Sequence, residues 1–404
     1  MTVSRKLLTF QPLVYCEGDE RFRVTNLGAV VQAMSGFGIA ATQVALAGTP
    51  DRVGQVIDGI MLCSIKQAET PAWWEAQSPW AVISNTWGAP RYSRIHSAIR
   101  SITPRYIDRL DTDGIRSARV DPRIYLYQYY SRIRDSPSRF KSHLAPILPV
   151  CIAAIHKAFP NLLEARQAET IDRIPIVTAE SPIAVARMQR LQRYYAFSGK
   201  NIHLSPFPVN SVSIPPLREL TNKSNTIVSV GRWDAHQKNF NLMLKALESF
   251  LILQPDWNAV LLGTLPSDYI RCVNNLAPKC GVRIRCSGPL PNAKICSTMA
   301  QAKIFLMTSR HESFGIAAAE ALCSGCSVVG PHHIPSVPWF CGSDSGTIST
   351  SYTADGFLDA LMAEAHEWIY GQRSPVAISN SWRSRLGATP VVANLLNLFE
   401  ARSQ

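Results

Sequence analysis

Two glutamates, Glu312 and Glu320, stand eight positions apart in a stretch that starts as an apolar run and continues as an alanine-rich segment. The run at 304–307 predicts a buried strand, and a helix is expected to begin near Phe314. Eight residues of helix rise about 12 Å and return the second carboxylate to within roughly 80° of the first, so both can line one side of an extended ligand. Gly315 would let that ligand approach the first-turn N–H groups. On spacing alone, an ordinary strand–helix–strand unit with a helix-dipole contact and a solvated glutamate is equally open.

A second group that could do chemistry consists of two cations, Arg232 and Lys238, in the loop after an apolar run at 226–230. That run predicts a strand ending at Gly231, and the leucine spacing of the following residues predicts a helix. Two cations that converge at the carboxyl end of a strand can bind a diphosphate, because each neutralises part of its charge. Without further evidence, two nearby cations are equally typical of an ordinary basic surface.

A glycine turn in the first half of the chain could contact the same kind of ligand. Residues 29–34 are expected to form a strand and residues 41–47 a helix, on either side of Gly36, Phe37 and Gly38. A strand, a glycine turn and a helix in this order offer backbone N–H groups to a phosphate. Taken alone, two glycines at this spacing are a weak signal.

A buried strand is also expected at 149–155, and it ends on His156. A lone histidine at the end of a strand is structural more often than functional. The basic segment 91–141 lies before it and contains Asp111 and Asp113. We do not interpret these two aspartates as a metal site.

Taken together, the paired glutamates, the two cations after a glycine-terminated strand and the strand-terminal histidine resemble a known signature. It is that of retaining GT-B glycosyltransferases of group 1, the family-four type that includes mannosyltransferases and sucrose synthase. The resemblance implies transfer of a hexose from a nucleotide-diphosphate sugar to an acceptor hydroxyl, with no metal and no further cofactor. The resemblance is strong over 226–331, moderate over 150–210 and weak before 150. The acceptor stays unknown, because the residues that select it belong to the part where the resemblance is weak.

The resemblance also implies a role for each candidate residue. Glu312 would hold sugar hydroxyls, and Glu320 would hold the ribose. Arg232 and Lys238 would stabilise the leaving diphosphate, and His156 would orient the sugar. The other donor contacts that it implies are Gly36, Phe37, Gly38, Gly231, Ser313, Phe314, Gly315 and Ile316.

Strands and helices alternate along both halves of the chain, with a proline-rich linker at 207–216. This pattern predicts an α/β fold of two doubly wound, Rossmann-like domains facing a central cleft, which is the GT-B arrangement. We expect an acceptor-binding domain at 1–210, a nucleotide-sugar-binding domain at 211–385, and a helix at 386–404 that packs back on the first domain. Ligands of such sheets bind at the carboxyl ends of the strands, where all the candidates are expected to lie.

The bulk composition limits the class of protein. With 46% apolar and 17% charged residues among 404, the chain is expected to be globular rather than disordered. No apolar run reaches the roughly 20 residues of a membrane span, and the first ten residues do not resemble a signal peptide. The ten cysteines form no framework. Cys323 and Cys326 are interpreted as packing residues, so a reduced cytoplasmic protein is expected.

The net charge of +12 is concentrated in the first half, where residues 1–210 hold 25 Lys and Arg against 16 Asp and Glu. This excess favours an anionic acceptor, either phosphorylated or presented at a membrane surface, although a solvated arginine-rich surface explains it equally well. Two alternatives to a glycosyltransferase stay open: a catalytically weak GT-B-like partner subunit or scaffold, and a nucleic-acid-binding protein. We expect no nucleic-acid partner. A copy of the enzyme that has lost its activity tends to lose some of its site residues. The presence of all five candidates therefore favours an active enzyme: His156, Arg232, Lys238, Glu312 and Glu320.

Overall fold

We describe the fold from a computed structural model of the chain. The structure describes residues 5–19, 22, 27–111, 160–210, 212–233, 236–280, 283–342 and 344–401, together with five isolated positions between 147 and 158. Strands and helices are numbered in chain order over these residues. Two sheets organise them, one in each half of the chain.

The first sheet, over the described residues, consists of β1 Lys6–Val14, β2 Ala40–Leu46, β3 Val56–Ile57, β4 Ile60–Cys63, β5 Ala81–Ser84, β6 Tyr106–Arg109, β7 Ile176–Ala179 and β8 Ile202–Leu204. Their order across the sheet is β3-β4-β2-β1-β5-β6-β7-β8. Neighbouring strands are parallel except β3 and β4, which pair antiparallel. The order reverses at β1, so the loops after β1 and β5 border a crevice at the carboxyl edge.

Both faces of the first sheet are covered, because alternate residues of its central strands enter two separate apolar clusters. Leu8 and Val82 belong to one cluster, and Leu7 and Ala81 belong to the other. The helices described in this half are α1 Leu27–Met34, α2 Ile65–Ala68, α3 Pro71–Gln77, α4 Ser93–Ile102, α5 Pro160–Asp172 and α6 Pro182–Tyr194.

The second sheet consists of β9 Ser224–Val230, β10 Asn258–Leu262, β11 Ile284–Ser287, β12 Ala302–Leu306, β13 Ser327–Pro331 and β14 Gly346–Ser349. All its strands are parallel, in the order β11-β10-β9-β12-β13-β14. All five residues of β13 are buried, as expected for a parallel sheet with helices on both faces. The order reverses at β9, so the loops after β9 and β12 border a second crevice.

The helices that follow in the second half are α7 Phe240–Leu253, α8 Ser267–Cys280, α9 Asn292–Gln301, α10 Ile316–Cys323, α11 Val337–Phe340, α12 Ala354–Ile369, α13 Pro375–Leu386 and α14 Ala388–Glu400. The first seven of these helices lie within or against the large core of the second sheet. Across the described parts of the chain, no helix has the length and hydropathy needed to cross a membrane.

The chain passes between the two sheets twice, and the two crossings lie side by side. The Val209 N–H donates to the Leu386 carbonyl at 2.7 Å, and Val209 also forms a parallel bridge with Gly387. Beyond this point α14 packs on the first sheet rather than the second. Its apolar face shares a buried cluster with β1 and α1 whose members include Leu7, Leu27, Val30, Val391, Val392, Leu395 and Phe399. We call the first sheet with its helices and α14 the first domain, and the remainder the second domain.

The segment around Gly36 and Gly38 differs from the sequence prediction. The residues predicted as a strand form α1, and those predicted as a helix form β2. In α1 the sequence LGAVVQAM has one polar residue, Gln32, so it shows no polar face by which a helical period could be recognised. A short apolar run of this kind is ambiguous, and tertiary packing decides its conformation.

Truncation of Leu395 to alanine should destabilise the first domain, although Leu395 lies near the end of the chain. Its side chain is fully buried, so Leu395→Ala should lower the free energy of unfolding by roughly 2 to 5 kcal/mol. Urea unfolding monitored by circular dichroism measures this loss. The control is Asn397→Ala on the exposed face of the same helix, which should change stability by less than about 0.5 kcal/mol. Equal stability of the two variants would contradict the packing of α14.

Candidate active site

The loops after β9 and β12 meet where the strand order of the second sheet reverses. The Arg310 N–H donates to the Gln237 carbonyl at 2.7 Å, and the Gln237 side-chain amide donates to the His311 carbonyl at 2.9 Å. The Thr308 hydroxyl donates to the Lys238 carbonyl at 3.1 Å. These bonds satisfy loop polar groups that have no strand partner, so the two loops form one unit.

An ion pair at the centre of this unit joins two predicted site residues. Lys238 Nζ lies 2.5 Å from Glu312 Oε1, and the Ser309 hydroxyl donates to the same oxygen at 2.8 Å. The side chains are 20% and 10% exposed, respectively. Because an unpaired charge at this depth is costly, each partner fixes the other in place. The ammonium is therefore aimed into the crevice before any ligand arrives.

Gly231 and Arg232, at the start of the same loop, have different environments. A Cβ at position 231 would lie 3.2 Å from Lys238 Cγ, so glycine leaves room for the lysine stem to cross the backbone. Arg232 follows with an exposed side chain. The loop thus presents a mostly buried ammonium and, beside it, a solvent-facing guanidinium.

The start of α10 forms the other wall of the crevice. Gly315 precedes the helix with a φ of 87°, a left-handed conformation that suits glycine. Phe314 is buried, with its ring 5.2 Å from that of Phe340 and 5.8 Å from that of Phe207. The N–H groups of Ile316 and Ala317, which open the helix, have no acceptor within it, whereas the Ala318 N–H donates to the Gly315 carbonyl at 2.9 Å. A small cavity of about 30 Å³ between the loops is lined by residues that include Lys238, Glu312, Gly315 and Ile316.

Glu320 lies in the second turn of α10, beside the start of α9. The Asn292 side-chain amide donates to its Oε1 at 2.8 Å. Burial raises the pKa of Glu320 to about 7, and the Asn292 hydrogen bond opposes this rise. A carboxyl group with so high a pKa is common at ligand sites, where function outweighs the cost of burying it.

The first domain reaches this site through Asp111, which the sequence analysis did not assign to it. The Ser313 hydroxyl donates to Asp111 Oδ1 at 2.5 Å. Asp111 follows β6, and its N–H donates at 2.6 Å to Glu180, which follows β7. The contact therefore joins the carboxyl edges of the two sheets across a cleft. A polar turn after a strand at 106–109 could have indicated Asp111 as a site residue. That strand was not recognised within the basic segment.

Gly36, Phe37 and Gly38 lie away from the cleft. β1 and β2 are parallel, and the Ala40 N–H donates to the Arg5 carbonyl at 3.0 Å, which places the turn at the amino ends of both strands. The cleft lies at the opposite edge. The prediction that this turn contacts donor phosphates is therefore wrong, because it assumed a strand before the turn where the structure has a helix.

His156 lies outside the described residues, so its predicted role stays a prediction. The strand predicted at 149–155 is wrong at the three positions that the structure describes. Val150, Cys151 and Ala154 are helical and exposed. The prediction assumed that this run is buried because it is apolar. The exposure of these three positions shows that apolar composition alone does not establish a buried strand.

Cys323 and Cys326 are packed in the core beneath α10. Both thiols are almost fully buried, and the Cys326 thiol donates to the Met299 carbonyl at 2.9 Å. Lys223 Nζ donates to carbonyls at the ends of α9 and α10, including that of Ser324 at 3.0 Å. Among the described residues, no three or more His, Cys, Asp or Glu side chains are grouped so that they could hold a metal ion.

The second domain matches a known family. Residues 216–364 match the family model of the glycosyl transferases of group 1. This part of the chain is therefore similar to the group 1 glycosyl transferases. A GDP-mannose:cellobiosyl-diphosphopolyprenol alpha-mannosyltransferase of Xanthomonas campestris is 29% identical over 102 residues. That alignment spans 25% of this chain and 27% of the relative.

Solved structures of GT-B glycosyltransferases match nearly the whole chain. The sucrose-phosphate synthase of Thermosynechococcus elongatus superposes with a TM-score of 0.63 at 12% identity, covering 99% of both chains. The HepE protein of Anabaena, solved in complex with UDP and glucose, superposes with a TM-score of 0.64 at 12% identity, covering 98% of this chain and 100% of HepE. Likeness at this identity shows the fold. The predicted GT-B fold and the predicted resemblance to group 1 are confirmed.

Replacement of Glu320 by glutamine should stabilise the protein at high pH. The folded pKa of about 7 lies above the unfolded value of 4.5, so the carboxyl group favours folding when protonated and opposes it once ionised. Glu320→Gln is neutral at every pH and can still accept from Asn292. Its free energy of unfolding should match the wild type near pH 4.5 and exceed it by up to about 3 kcal/mol at pH 8.

Urea titrations at pH 5 and pH 8 measure this difference, and Glu75→Gln on the exposed face of α3 is the matched control. The control should leave stability unchanged at both pH values. A Glu320→Gln variant that is less stable than the wild type at pH 8 would show that ionisation of Glu320 does not destabilise the fold.

Proposed function

We propose that the protein is a glycosyltransferase that moves a hexose from a nucleotide-diphosphate sugar to an acceptor hydroxyl, with retention of configuration. The observation that carries the proposal is the Lys238–Glu312 pair beside the start of α10, within a domain that matches the group 1 family. A cation for a diphosphate and a carboxylate for sugar hydroxyls suit the two ends of such a donor. HepE, which shares the fold, was solved with UDP and glucose, and the Xanthomonas relative is named for a GDP-mannose donor.

The proposed reaction breaks the bond between the anomeric carbon and the β-phosphate oxygen, and the electron pair leaves with the nucleoside diphosphate. The acceptor oxygen bonds to the anomeric carbon on the same face, and its proton passes to the departing phosphate oxygen. Lys238 and Arg232 stabilise the negative charge that grows on the leaving group, and first-turn N–H groups of α10 add to this effect. The charge is neutralised by protein groups, so the proposed reaction needs no metal.

The two glutamates have separate roles in this proposal. Glu312 accepts hydrogen bonds from hydroxyls of the transferred sugar, next to the ammonium that binds the diphosphate. Glu320 accepts hydrogen bonds from the ribose hydroxyls, and its ionised form is a stronger acceptor than its protonated form. Asn292 holds the Glu320 carboxylate towards the start of α9, so the base of the nucleotide lies near that helix. The acceptor binds from the first domain, because the excess of Lys and Arg in residues 1–210 suits an anionic group.

A thermal-shift screen with UDP-, GDP- and ADP-sugars tests donor binding. A ligand present at 100 times its dissociation constant, and bound by the folded state only, should stabilise the protein by about 2.7 kcal/mol. One nucleotide should stabilise far more than the others. The screen is run with EDTA present, because the proposal includes metal-independent binding. Absence of any shift, with or without added Mg²⁺, would remove the support for a donor site.

Alanine substitutions of Lys238 and Glu320 should each reduce donor turnover by at least about 100-fold, measured as release of nucleoside diphosphate. The reason is that each removes a charged contact to the leaving group or the ribose. Lys245→Ala on the exposed face of α7 and Glu75→Ala on α3 are matched controls and should turn over normally. Near-normal turnover in either test variant contradicts the assignment of the cleft. Strong donor binding without turnover by the wild type would instead favour the partner-subunit alternative.

A further inference from the structure

Asp111 joins the first domain to the loop that carries Glu312. Its carboxyl oxygen accepts the Ser313 hydroxyl at 2.5 Å, across 202 positions of sequence. Ser313 is the residue after Glu312, whereas Glu320 lies in the second turn of α10. Asp111 therefore stands at the end of the site that the proposed function gives to the sugar, and not at the ribose end.

Several groups of the first domain hold Asp111 in this position. Its N–H donates to Glu180 Oε1 at 2.6 Å, and the Trp87 side chain hydrogen bonds to its carboxyl group. Arg109 lies fully buried beneath both acids, where it donates to the Pro206 carbonyl at 2.7 Å. Its positive charge attracts Glu180 and Asp111. Asp111 is thus a supported side chain rather than a loop residue that happens to reach the other domain.

The backbone at this place is held in a costly conformation. Asp111 has a φ of 47° and Trp87 a φ of 61°, both in the left-handed region that residues other than glycine rarely adopt. For a bulky residue such as Trp87 this is a clear outlier. Strain of this kind persists where the surrounding structure fixes it, and it is concentrated at functional sites.

Charges of both signs meet at the cleft. Lys238 and Arg232 supply the positive charge proposed for the diphosphate, whereas Glu312, which contacts Lys238, and Asp111 supply the negative charge proposed for the sugar. The pKa of Asp111 is raised above its ordinary value, chiefly by burial and also by the negative charge of Glu312, whereas the hydrogen bonds from Ser313 and Trp87 and the charge of Arg109 oppose this rise by favouring the ionised form. During transfer, negative charge grows on the leaving group and positive charge grows at the anomeric carbon. A site that holds both cations and carboxylates can stabilise both of these charges.

We infer that Asp111 contacts the transferred sugar and stabilises the positive charge that develops at its anomeric carbon. This inference rests on the proposed function and adds a first-domain catalytic residue to it. Asp111 acts through its charge, so no bond to it forms and no proton moves to or from it. Its contribution should be larger in the transition state than in the bound donor, and should therefore fall mainly on kcat.

The test compares three variants with the wild type. Asp111→Asn removes the charge while keeping the size, and asparagine tolerates a left-handed φ, so the loop should fold as before. Ser313→Ala removes the hydrogen bond across the cleft but leaves the carboxylate. Asp172→Asn removes an exposed charge at the end of α5 and is the matched control. Circular dichroism and thermal unfolding check that each variant is folded.

Each protein is titrated with UDP and UDP-glucose and with GDP and GDP-mannose, and release of nucleoside diphosphate is followed for the donor that the wild type uses. Asp111→Asn should bind the free nucleoside diphosphate within about 2-fold of the wild type, yet turn over at least about 100-fold more slowly. Ser313→Ala should lose less than about 10-fold, because the carboxylate stays in place. Asp172→Asn should match the wild type in both measurements.

Three results would overturn the inference. Turnover at the wild-type rate in Asp111→Asn is the first. The second is an equal loss of nucleotide affinity and turnover in that variant, since that outcome means that Asp111 only holds the domains together. The third is a Ser313→Ala loss as large as that of Asp111→Asn. If the wild type binds no nucleotide or nucleotide-sugar, the proposed function fails and this inference falls with it. A functioning wild type with an unaffected Asp111→Asn removes the inference alone.

Discussion

The Lys238–Glu312 ion pair joins two loops that would otherwise be separate, at the point where the strand order of the second sheet reverses. Each charge is largely buried, so loss of either would leave the other without its counter-charge at a cost of several kcal/mol. Gly231 leaves space for the lysine stem, and hydrogen bonds between the loop backbones keep the partners in register. The crevice is therefore built before a ligand arrives, which lowers the entropy lost on binding. The neighbouring Glu320 is the opposite case, a carboxylate retained at a cost to stability.

The second-domain part of the site could be predicted from the sequence because its geometry is local. Arg232 and Lys238 follow one apolar strand, and Glu312 and Glu320 flank the start of the helix after another. Parallel strands bring their carboxyl ends to one edge, so short-range spacing determines which residues meet. What spacing could not show is that Glu312 pairs with Lys238 across 74 positions, or that Asn292 faces Glu320.

The first domain was harder to predict for two physical reasons. The α1 segment is apolar apart from Gln32, because one face packs on β2 and another on the distant α14, so its period gives no helical signal. The turn at Gly36 was consequently placed at the wrong edge of the sheet. Asp111 could not be assigned because its significance depends on how the domains dock, and its contact to Ser313 does not follow from local sequence. Its left-handed backbone likewise shows only in three dimensions.

Because α14 packs on the first domain, the core of that domain can be completed only late in synthesis. The apolar faces of β1 and α1 leave the ribosome about 350 residues before Val391 and Leu395, which complete their cluster. At about 5 to 20 residues per second, that interval lasts roughly 20 to 70 seconds. An N-terminal domain usually folds first, but here its core stays incomplete until the second domain has been synthesised. The nascent chain must therefore carry exposed apolar surface through that interval.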